Sequence, residues 1–306
     1  MMEIKVHEFD IAQICESGQC FRMKKIDESK CEKNGYNQND NKDNYHENRY
    51  QVIAGNRYLE VAQRQDRVMF SCTQDAFDSF WKKYFDLDRD YGIYISGIDT
   101  EDQYLTAAAE YGRGIRILHQ DLWEMIISFL ISQQNNIVRI RRCIENICRK
   151  YGTEMDALMP EMKSDGNEAV SGIRAFPTPQ ALASTTEEAL RECNLGYRAK
   201  YVLRTARMVA DGTFDLDTVK QMEYGEAKEK LLTLYGVGEK VADCICLFAL
   251  HQLQAFPVDT HIRQVLDRQY SDGFPWERYQ GIEGVMQQYI FYYDLHAKDR
   301  IGQAPN

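Results

Sequence analysis

The stretch LYGVGEKVADCICLFAL, residues 234–250, sets a Gly-Val-Gly turn directly before a helix that is apolar on almost every side. Leucines end the segment before the turn, so the pattern predicts a helix–hairpin–helix over about residues 224–250. Glycine lets the backbone approach another surface, and amides at a helix N-terminus point outward toward anions. Gly236 and Gly238 are therefore candidates for contacting a DNA phosphate, although a plain connection between two helices has the same pattern.

Lys240 stands in the first turn of the second predicted helix. A cation there faces the positive end of the helix dipole, and the apolar residues around it predict partial loss of solvent. Both effects favour the neutral amine, which is the nucleophilic form of lysine. The alternative is an ordinary lysine that extends from the turn into solvent.

A second candidate, Asp259, lies in FPVDTHI, residues 256–262. It precedes a predicted helix, so its structural role is to cap that helix by accepting from backbone amides. A carboxylate near a nucleophilic amine can also stabilise positive charge at a sugar carbon during glycosidic bond cleavage, and it can help to move a proton. One aspartate can do both.

The composition is that of a globular protein, with 306 residues of which 44% are hydrophobic. No run approaches the roughly 20 apolar residues of a membrane span, and the N-terminus has no apolar signal core. We therefore expect no membrane association and an intracellular location, cytoplasmic in a bacterium or nuclear in a eukaryote. The nine cysteines include no Cys-x-x-Cys pair, which argues against a disulfide framework, a zinc site or an iron–sulfur cluster.

The net charge of −10 argues against a nucleic-acid partner, but the local distribution of charge differs. Basic residues dominate residues 139–150 and 198–207, and the second of these segments has no acidic residue. Two basic helical faces on an acidic protein form a candidate phosphate-binding surface. The alternative is a pair of solvated helix faces.

The chain divides into a strand-rich part over residues 1–100 and a helical part over residues 101–306, an α+β fold. Strand-like runs are followed by one helix, and they predict an antiparallel sheet. These elements are strands at 50–54, 58–63 and 68–72 and a helix near 75–85. The polar segment 24–48 predicts a long mobile loop. Helical patterns follow at 121–132, 137–147, 177–193, 198–211, 224–235, 238–250, 260–269 and 276–296.

Five stretches together resemble the helix–hairpin–helix DNA glycosylases, and within them the 8-oxoguanine DNA glycosylases of the eukaryotic type. They are SGQCFR (17–22), RILHQDLWEMIISFLISQQNNIVRI (116–140), LGYRAKYV (195–202), GVGEKVADCICLFAL (236–250) and FPVDTHI (256–262). They occur in the expected order over nearly the whole chain. The resemblance implies a monomeric DNA glycosylase and abasic-site lyase that excises 8-oxoguanine from duplex DNA without a metal or another cofactor.

The resemblance also implies a role for each matching residue. Lys240 would attack the sugar C1′ and form a Schiff base, with Asp259 as the catalytic aspartate. The implied pocket for the flipped base consists of Gly18, Cys244, Gln287 and Phe291. In that pocket the Gly18 carbonyl would accept the N7 proton that 8-oxoguanine has and guanine lacks.

The implied DNA contacts are Gln134, Asn135, Arg139, Tyr197, Arg198, Gly236, Gly238 and His261. Arg139, Arg198 and Tyr197 would hold the orphaned cytosine and wedge the duplex open, which implies a preference for cytosine opposite the lesion. His261 would contact a phosphate.

The chain departs from the family pattern at two positions near the site. Gln134 stands where the family usually has asparagine, and Tyr235 stands where proline is common. The longer side chain of Gln134 puts its contact with the estranged cytosine in question. The polar segment 24–48 resembles an insertion, far in sequence from the catalytic motifs.

Two other functions remain open on the sequence. A glycosylase–lyase for other oxidised bases, of the endonuclease III type, typically has a cysteine cluster after the catalytic aspartate, and this chain has no cysteine beyond Cys246. Alkyl-base glycosylases of the superfamily lack the lysine. A non-catalytic helix–hairpin–helix DNA-binding protein would need neither Lys240 nor Asp259.

Overall fold

The computed structural model describes residues 2–26, 48–155 and 172–301, with side chains up to residue 296. The N-terminal part is an antiparallel five-stranded sheet in the order β1-β5-β4-β3-β2. Its strands are β1 (Met2–Lys5), β2 (Met23–Lys25), β3 (Asn48–Ala54), β4 (Arg57–Arg64) and β5 (Arg67–Phe70). The predicted α+β fold with an N-terminal antiparallel sheet is confirmed.

The central hairpin of the sheet joins β3 to β4 through Gly55 and Asn56. Gly55 has φ +59°, a left-handed conformation that suits glycine, and Ala54 pairs with Arg57 across the turn. Three of the strands occupy the predicted runs. The predicted loop is wrong at its ends, because Lys25 pairs with Tyr50 and extends the sheet, and its residues 27–47 lie outside the described part of the chain.

Helical segments cover one side of the sheet and close a first apolar core. They are α1 (Ile11–Glu16), α2 (Gln74–Ala76), a π-helical turn (Phe77–Trp81) and α3 (Lys82–Tyr84). The helix predicted near 75–85 is present, although a π-helical turn widens its middle. The rings of Phe77 and Phe85 lie 5.1 and 5.8 Å from that of Phe70 on β5, which ties this segment to the sheet.

The rest of the described chain is helical and shares a second, larger core. Its helices are α4 (Tyr91–Ser96), α5 (Gln103–Tyr111), α6 (Leu122–Ser132), α7 (Ile137–Tyr151), α8 (Pro179–Ala183), α9 (Glu187–Arg191), α10 (Arg198–Ala210), α11 (Leu216–Lys220), α12 (Tyr224–Leu232), α13 (Glu239–Phe248), α14 (Thr260–Gln269) and α15 (Glu283–Ile301). None of the described helices has the length and apolar character needed to cross a bilayer. The division near residue 100 stays a prediction.

Two predicted helices are each broken into two pieces. The prediction over 177–193 is wrong because Thr186 starts α9 anew by accepting from the Ala189 amide, while Ser184 and Thr185 donate to backbone carbonyls. The prediction over 276–296 is also wrong. A 3₁₀ turn (Trp276–Tyr279) comes first, and Gly281, at φ +87°, separates it from α15.

The helix–hairpin–helix is formed by α12 and α13, as predicted. The buried carboxylate of Asp243 on α13 accepts from the Tyr224 hydroxyl at 2.7 Å and pairs with Lys228 at 3.0 Å, both on α12. Gly236 in the turn has φ +92°, and a Cβ there would lie 2.6 Å from the Tyr201 ring on α10. The turn is therefore held against α10 by a contact that only glycine permits.

Candidate active site

Lys240 is the second residue of α13, whose first turn has no side-chain cap. Its Nζ lies 5.6 Å from the centre of the Phe129 ring on α6. Among the described residues, no carboxylate lies within 4.0 Å of this ammonium. The amine is thus held over an aromatic face beside uncapped amides, and no ion pair occupies it.

Cys244 follows Lys240 by one helical turn and is buried. Burial raises the pKa of its thiol to about 11, against the opposing influence of the nearby Lys240 charge. The thiol therefore stays protonated near neutral pH, so Cys244 is a wall of the cavity and a weak donor.

Asp259 caps α14, since its carboxylate accepts from the Ile262 amide at 2.7 Å. The same side chain lines a small cavity together with Lys240. Capping fixes the direction of the carboxylate, so the structural and the chemical interpretations of this residue are compatible.

The turn around Gly18 forms another wall of this cavity. Gly18 has φ +79°, and a Cβ there would lie 3.1 Å from the Phe291 ring, so both conformation and space favour glycine. The carbonyls on either side accept from glutamine amides, Ser17 O from Gln288 at 2.7 Å and Gln19 O from Gln120 at 2.8 Å. No donor among the described residues contacts the Gly18 carbonyl.

Helix α15 contributes Gln287 and Phe291, which lie on one face at positions i and i+4. The Gln287 amide nitrogen donates to the Pro257 carbonyl at 3.1 Å, which orients the side chain. Its Oε1 is buried and has no partner among the described residues. A buried acceptor without a partner is costly unless a ligand supplies a donor.

The cavity, of about 50 Å³, brings together both predicted catalytic residues and all four predicted pocket residues. It is lined by Ser17, Gly18, Phe129, Lys240, Cys244, Phe248, Pro257, Asp259, Gln287, Gln288 and Phe291. A groove of about 740 Å³ shares several of these residues and also contains Gln134, Asn135, Gly238 and His261. Residues far apart in sequence therefore form one continuous cleft.

The loop after α6 borders this groove. Gln134 is exposed and adopts φ +47°, a left-handed conformation that asparagine adopts more readily than glutamine. The Asn135 amide donates to the Ile131 carbonyl at 3.1 Å, so this side chain terminates α6. Asn136 caps α7 by accepting from the amide of Arg139, whose own side chain is exposed.

Arg198 and Tyr197 hold this loop from α10. Arg198 is buried, and its guanidinium donates to the carbonyls of Gln133 and Gln134, the latter at 2.9 Å. Tyr197 is 43% exposed, and its hydroxyl lies 3.4 Å from the Gln134 side-chain oxygen. The Arg198 guanidinium is thus hydrogen-bonded to loop carbonyls, whereas the side chains of Arg139 and Tyr197 are exposed to solvent.

His261 lies at the rim of the groove. Its Nε2 is 3.0 Å from an Asp294 carboxylate oxygen, and its ring meets the Phe291 ring edge-on at 5.8 Å. The approach to Asp294 lacks hydrogen-bond geometry, so this buried Nε2 has no hydrogen-bond partner among the described residues.

Sequence reasoning missed two residues that line the cavity, Phe129 and Gln288, and it missed Gln120, whose amide holds the Gln19 carbonyl next to the Gly18 turn. Their roles depend on contacts between distant segments, such as the bond from Gln288 to the Ser17 carbonyl. The doubled glutamine at 287–288 is the one local signal, since two amides in succession on a buried helix both need partners.

A second cluster, away from the cleft, contains Asp86, His119 and His251, with ligand atoms within 4.8 Å of one another. The two imidazole rings stack at 3.5 Å with planes 13° apart, and both Nε2 atoms lie 3.3–3.4 Å from Asp86 oxygens. Parallel rings cannot direct both lone pairs at one ion, and the His251 Nε2 also lies 3.2 Å from the Ile117 carbonyl oxygen, an acceptor that requires a hydrogen on this nitrogen. The contacts with the two histidines lower the pKa of Asp86 against the effect of its burial.

Comparisons with known proteins agree with this architecture. Residues 1–126 match the family model described as 8-oxoguanine DNA glycosylase, N-terminal domain. Residues 127–274 match the model described as HhH-GPD superfamily base excision DNA repair protein. Together the two matches cover the sheet and the cleft residues up to His261, whereas Gln287, Gln288 and Phe291 on α15 lie beyond them.

Relatives and solved structures point to the same family. An N-glycosylase/DNA lyase of Saccharomyces cerevisiae is 31% identical over 88% of this chain and 70% of its own length. A probable N-glycosylase/DNA lyase of Methanothermobacter thermautotrophicus is 31% identical over 66% of this chain and 69% of its own. The 8-oxoguanine glycosylase/lyase of Clostridium acetobutylicum, solved with DNA containing cytosine opposite 8-oxoguanine, superposes with a TM-score of 0.80 at 30% identity, over 97% of this chain and 99% of that one. The chain therefore belongs to the 8-oxoguanine DNA glycosylase family of helix–hairpin–helix base-excision-repair proteins.

Proposed function

We propose that this protein is a bifunctional DNA glycosylase and abasic-site lyase that excises 8-oxoguanine from duplex DNA. The observation that carries the proposal is the single cavity lined by the Lys240 amine, the Asp259 carboxylate and the Gly18 turn. Membership of the family supports a DNA glycosylase. The chemistry of Lys240 and Asp259 supports lyase activity, and the Gly18 carbonyl supports recognition of a base that is protonated on N7.

Recognition rests on two acceptors in the cavity. 8-Oxoguanine carries a proton on N7 that guanine lacks, and the Gly18 carbonyl, contacted by no described donor, is its proposed acceptor. The buried, unpartnered Oε1 of Gln287 suits the N1 and N2 protons on the pairing edge of the same base. Phe291 offers a face for stacking, which offsets part of the cost of flipping the base out of the duplex.

Lys240 carries the chemical step in this proposal. Its Nζ forms a bond to C1′ of the sugar as the bond to the base breaks, and the base leaves with the electron pair and takes up a proton. Asp259 stabilises the positive charge that develops on the sugar. The amine then gives up a proton, the C1′–O4′ bond breaks, and O4′ takes up a proton, which opens the sugar ring and gives the protonated Schiff base. This iminium group makes the C2′ proton acidic. Removal of that proton expels the 3′ phosphate by β-elimination and nicks the strand.

Cytosine is the proposed preferred base opposite the lesion. Its pairing edge presents O2 and N3 acceptors, which suit the exposed Arg139 guanidinium. Adenine would present an amino donor instead and leave polar groups unpaired, at about 1–3 kcal/mol each. Arg198 supports this reading indirectly, because it holds the loop that carries Gln134.

A strand-nicking assay tests the proposal. Duplexes that contain 8-oxoguanine, thymine glycol or guanine are incubated with the protein, and we expect cleavage of the first and fastest cleavage opposite cytosine. Equal cleavage of thymine glycol would indicate an activity of the endonuclease III type, and binding without cleavage would indicate a non-catalytic protein.

Two variants test how excision depends on the base opposite 8-oxoguanine. Arg139→Ala should narrow the preference for cytosine over adenine. Gln134→Asn should leave it equal or wider, because asparagine tolerates the left-handed backbone of this position. Equal wild-type rates opposite cytosine and adenine would contradict the role of Arg139. A DNA substrate also implies that the protein works where the chromosome lies, in the cytoplasm of a bacterium or the nucleus of a eukaryote.

A further inference from the structure

One face of α10 and its N-cap residue lies beside the helix–hairpin–helix turn; it has exposed Tyr197 and Arg204 and half-buried Lys200 and Tyr201. Their spacing of three and four residues aligns them along the helix. The Tyr201 ring packs directly on Gly236, where a Cβ would lie 2.6 Å away. This face is therefore fixed against the turn that carries Gly236 and Gly238.

Tyr235, the residue before the turn, lies on the same face and is 42% exposed. Its ring meets the Tyr201 ring at 5.3 Å, and Tyr201 in turn meets Tyr197 at 5.7 Å. The Arg204 guanidinium lies 4.2 Å from the centre of the Tyr235 ring, and the Lys200 ammonium lies 5.4 Å from it. One exposed aromatic ring thus holds two cations from the neighbouring helix.

Neither of these cations is neutralised by a described residue. Within the part of the chain that the structure describes, no carboxylate lies within 4.0 Å of Lys200 or Arg204. A ring beneath them restrains their directions and leaves their N–H donors outward.

We propose that Tyr235, Lys200 and Arg204 form a phosphate-binding strip that extends the DNA interface beyond the hairpin turn. The strip adjoins the uncapped amides of α13 on one side. On the other side Tyr197 connects it to the loop that borders the cleft. Its ligand is the phosphodiester backbone of the same duplex whose base enters the cavity, so the proposal rests on the proposed function.

The substitution at 235 explains why this chain has such a strip. Proline, common at this position in the family that the sequence resembles, offers no aromatic face for a guanidinium. Tyr235 supplies one, and Arg204 stands over it at 4.2 Å. The two residues therefore act as a pair, with the ring as a positioning group and the cation as the phosphate contact.

Salt-dependent binding tests the strip. Affinity for an undamaged duplex and for an 8-oxoguanine duplex is measured over a range of salt for the wild type, Lys200→Ala, Arg204→Ala, Tyr235→Leu and Tyr235→Phe. Each cation variant should bind both duplexes several-fold more weakly at low salt. Each should also lower the slope of log affinity against log salt by about one. Tyr235→Phe, which keeps the ring, should bind like the wild type, whereas Tyr235→Leu should weaken binding.

A matched control is available on another surface. Arg57 on β4 also lies 4.2 Å over an aromatic ring, that of Phe80, and is exposed. It borders a separate groove together with Leu250, beyond the far end of α13 from the turn. Arg57→Ala removes one charge as Arg204→Ala does, and it should leave affinity and slope unchanged.

Three outcomes would overturn the strip. The first is a wild-type salt slope in both cation variants, and the second is an equal loss of DNA affinity in Arg57→Ala. The third concerns the double variant Tyr235→Leu/Arg204→Ala, in which the two losses of affinity would simply add. The undamaged duplex separates this test from the proposed function. If the protein does not cleave 8-oxoguanine DNA but its variants show the expected salt slopes, the proposed enzymatic function is contradicted and the proposed phosphate-binding strip is supported.

Discussion

At the scale of single residues, the cleft holds several groups in arrangements that stability alone does not favour. Among the described residues, Lys240 has no ion-pair partner at the positive end of its helix, the Gly18 carbonyl has no donor, and the buried Oε1 of Gln287 has no hydrogen-bond partner. In the proposed function, a DNA substrate with a flipped base supplies a partner for each. The concentration of these arrangements in one cavity is what identifies it as a site.

Asp259 can be tested without disturbing its helix. Asparagine caps helices about as well as aspartate, so Asp259→Asn should leave α14 intact while removing the charge. We expect base excision to fall about 10²–10³-fold, by analogy with the loss of other electrostatic stabilisers, with damaged-DNA binding retained. Single-turnover excision rates give the answer, and activity within about threefold of the wild type would reduce Asp259 to a capping residue.

Gln288 should matter for reading the base and not for the lysine chemistry. Its amide holds the Ser17 carbonyl at 2.7 Å and so fixes the Gly18 turn. Gln288→Ala should lower the rate of 8-oxoguanine excision but spare strand cleavage at a preformed abasic site, which contains no base to read.

The control for Gln288 is Gln252→Ala, because Gln252 also donates to a backbone carbonyl, that of Met222, at 2.9 Å. We expect this variant to keep both activities. Parallel losses of excision and lyase activity in Gln288→Ala would show a general structural role and contradict the assignment.

At the scale of elements, the central helix α6 contributes both to the cleft and to the pH dependence of stability. It is buried from Leu122 to Ile131, and it carries Phe129 toward Lys240 at one end and Glu124 near the other. Burial raises the pKa of Glu124 to about 7, although the charge of Arg22 opposes the shift. A carboxyl that is hard to ionise inside a central helix makes the stability of the protein depend on pH.

The sign of that dependence follows from the raised pKa. Below pH 4.5 the carboxyl is protonated in both states, and between 4.5 and about 7 only the unfolded chain releases the proton, so the free energy of unfolding falls as pH rises. Glu124→Gln removes this contribution. The free energy of unfolding of Glu124→Gln, minus that of the wild type, should therefore increase by up to about 3 kcal/mol between acid and slightly alkaline pH. Denaturant unfolding at several pH values measures it, and a difference that does not change with pH would be contrary to this explanation.

Elements with strong local signals were predictable from the sequence. The glycine turn followed by apolar residues correctly predicted the helix pair α12 and α13, and the alternating apolar runs correctly predicted strands β3, β4 and β5. The failures have local physical causes that periodicity does not capture. Hydroxyl groups at 184–186 compete for backbone bonds and restart a helix, and Gly281 interrupts another.

At the scale of the whole molecule, the cleft is an assembly of segments that sequence order alone does not bring together. The Gly18 turn lies between β1 and β2 of the sheet, Phe129 lies on α6, and Gln287 is on the last described helix, yet all line one cavity with Lys240. The family resemblance predicted which residues meet, but not the contacts that hold them. The burial of Arg198 against loop carbonyls and the role of Gln288 required the structure.

The central claim is that the Lys240 amine becomes covalently bound to the sugar of the damaged nucleotide, and borohydride trapping tests it most directly. Lys230 is the matched control, since its Nζ lies 5.5 Å over the Phe214 ring much as that of Lys240 lies 5.6 Å over Phe129. The wild type and Lys230→Gln should both give a covalent protein–DNA adduct with an 8-oxoguanine duplex. Lys240→Gln should bind the same duplex and give none. An adduct at the wild-type level in Lys240→Gln would contradict the account.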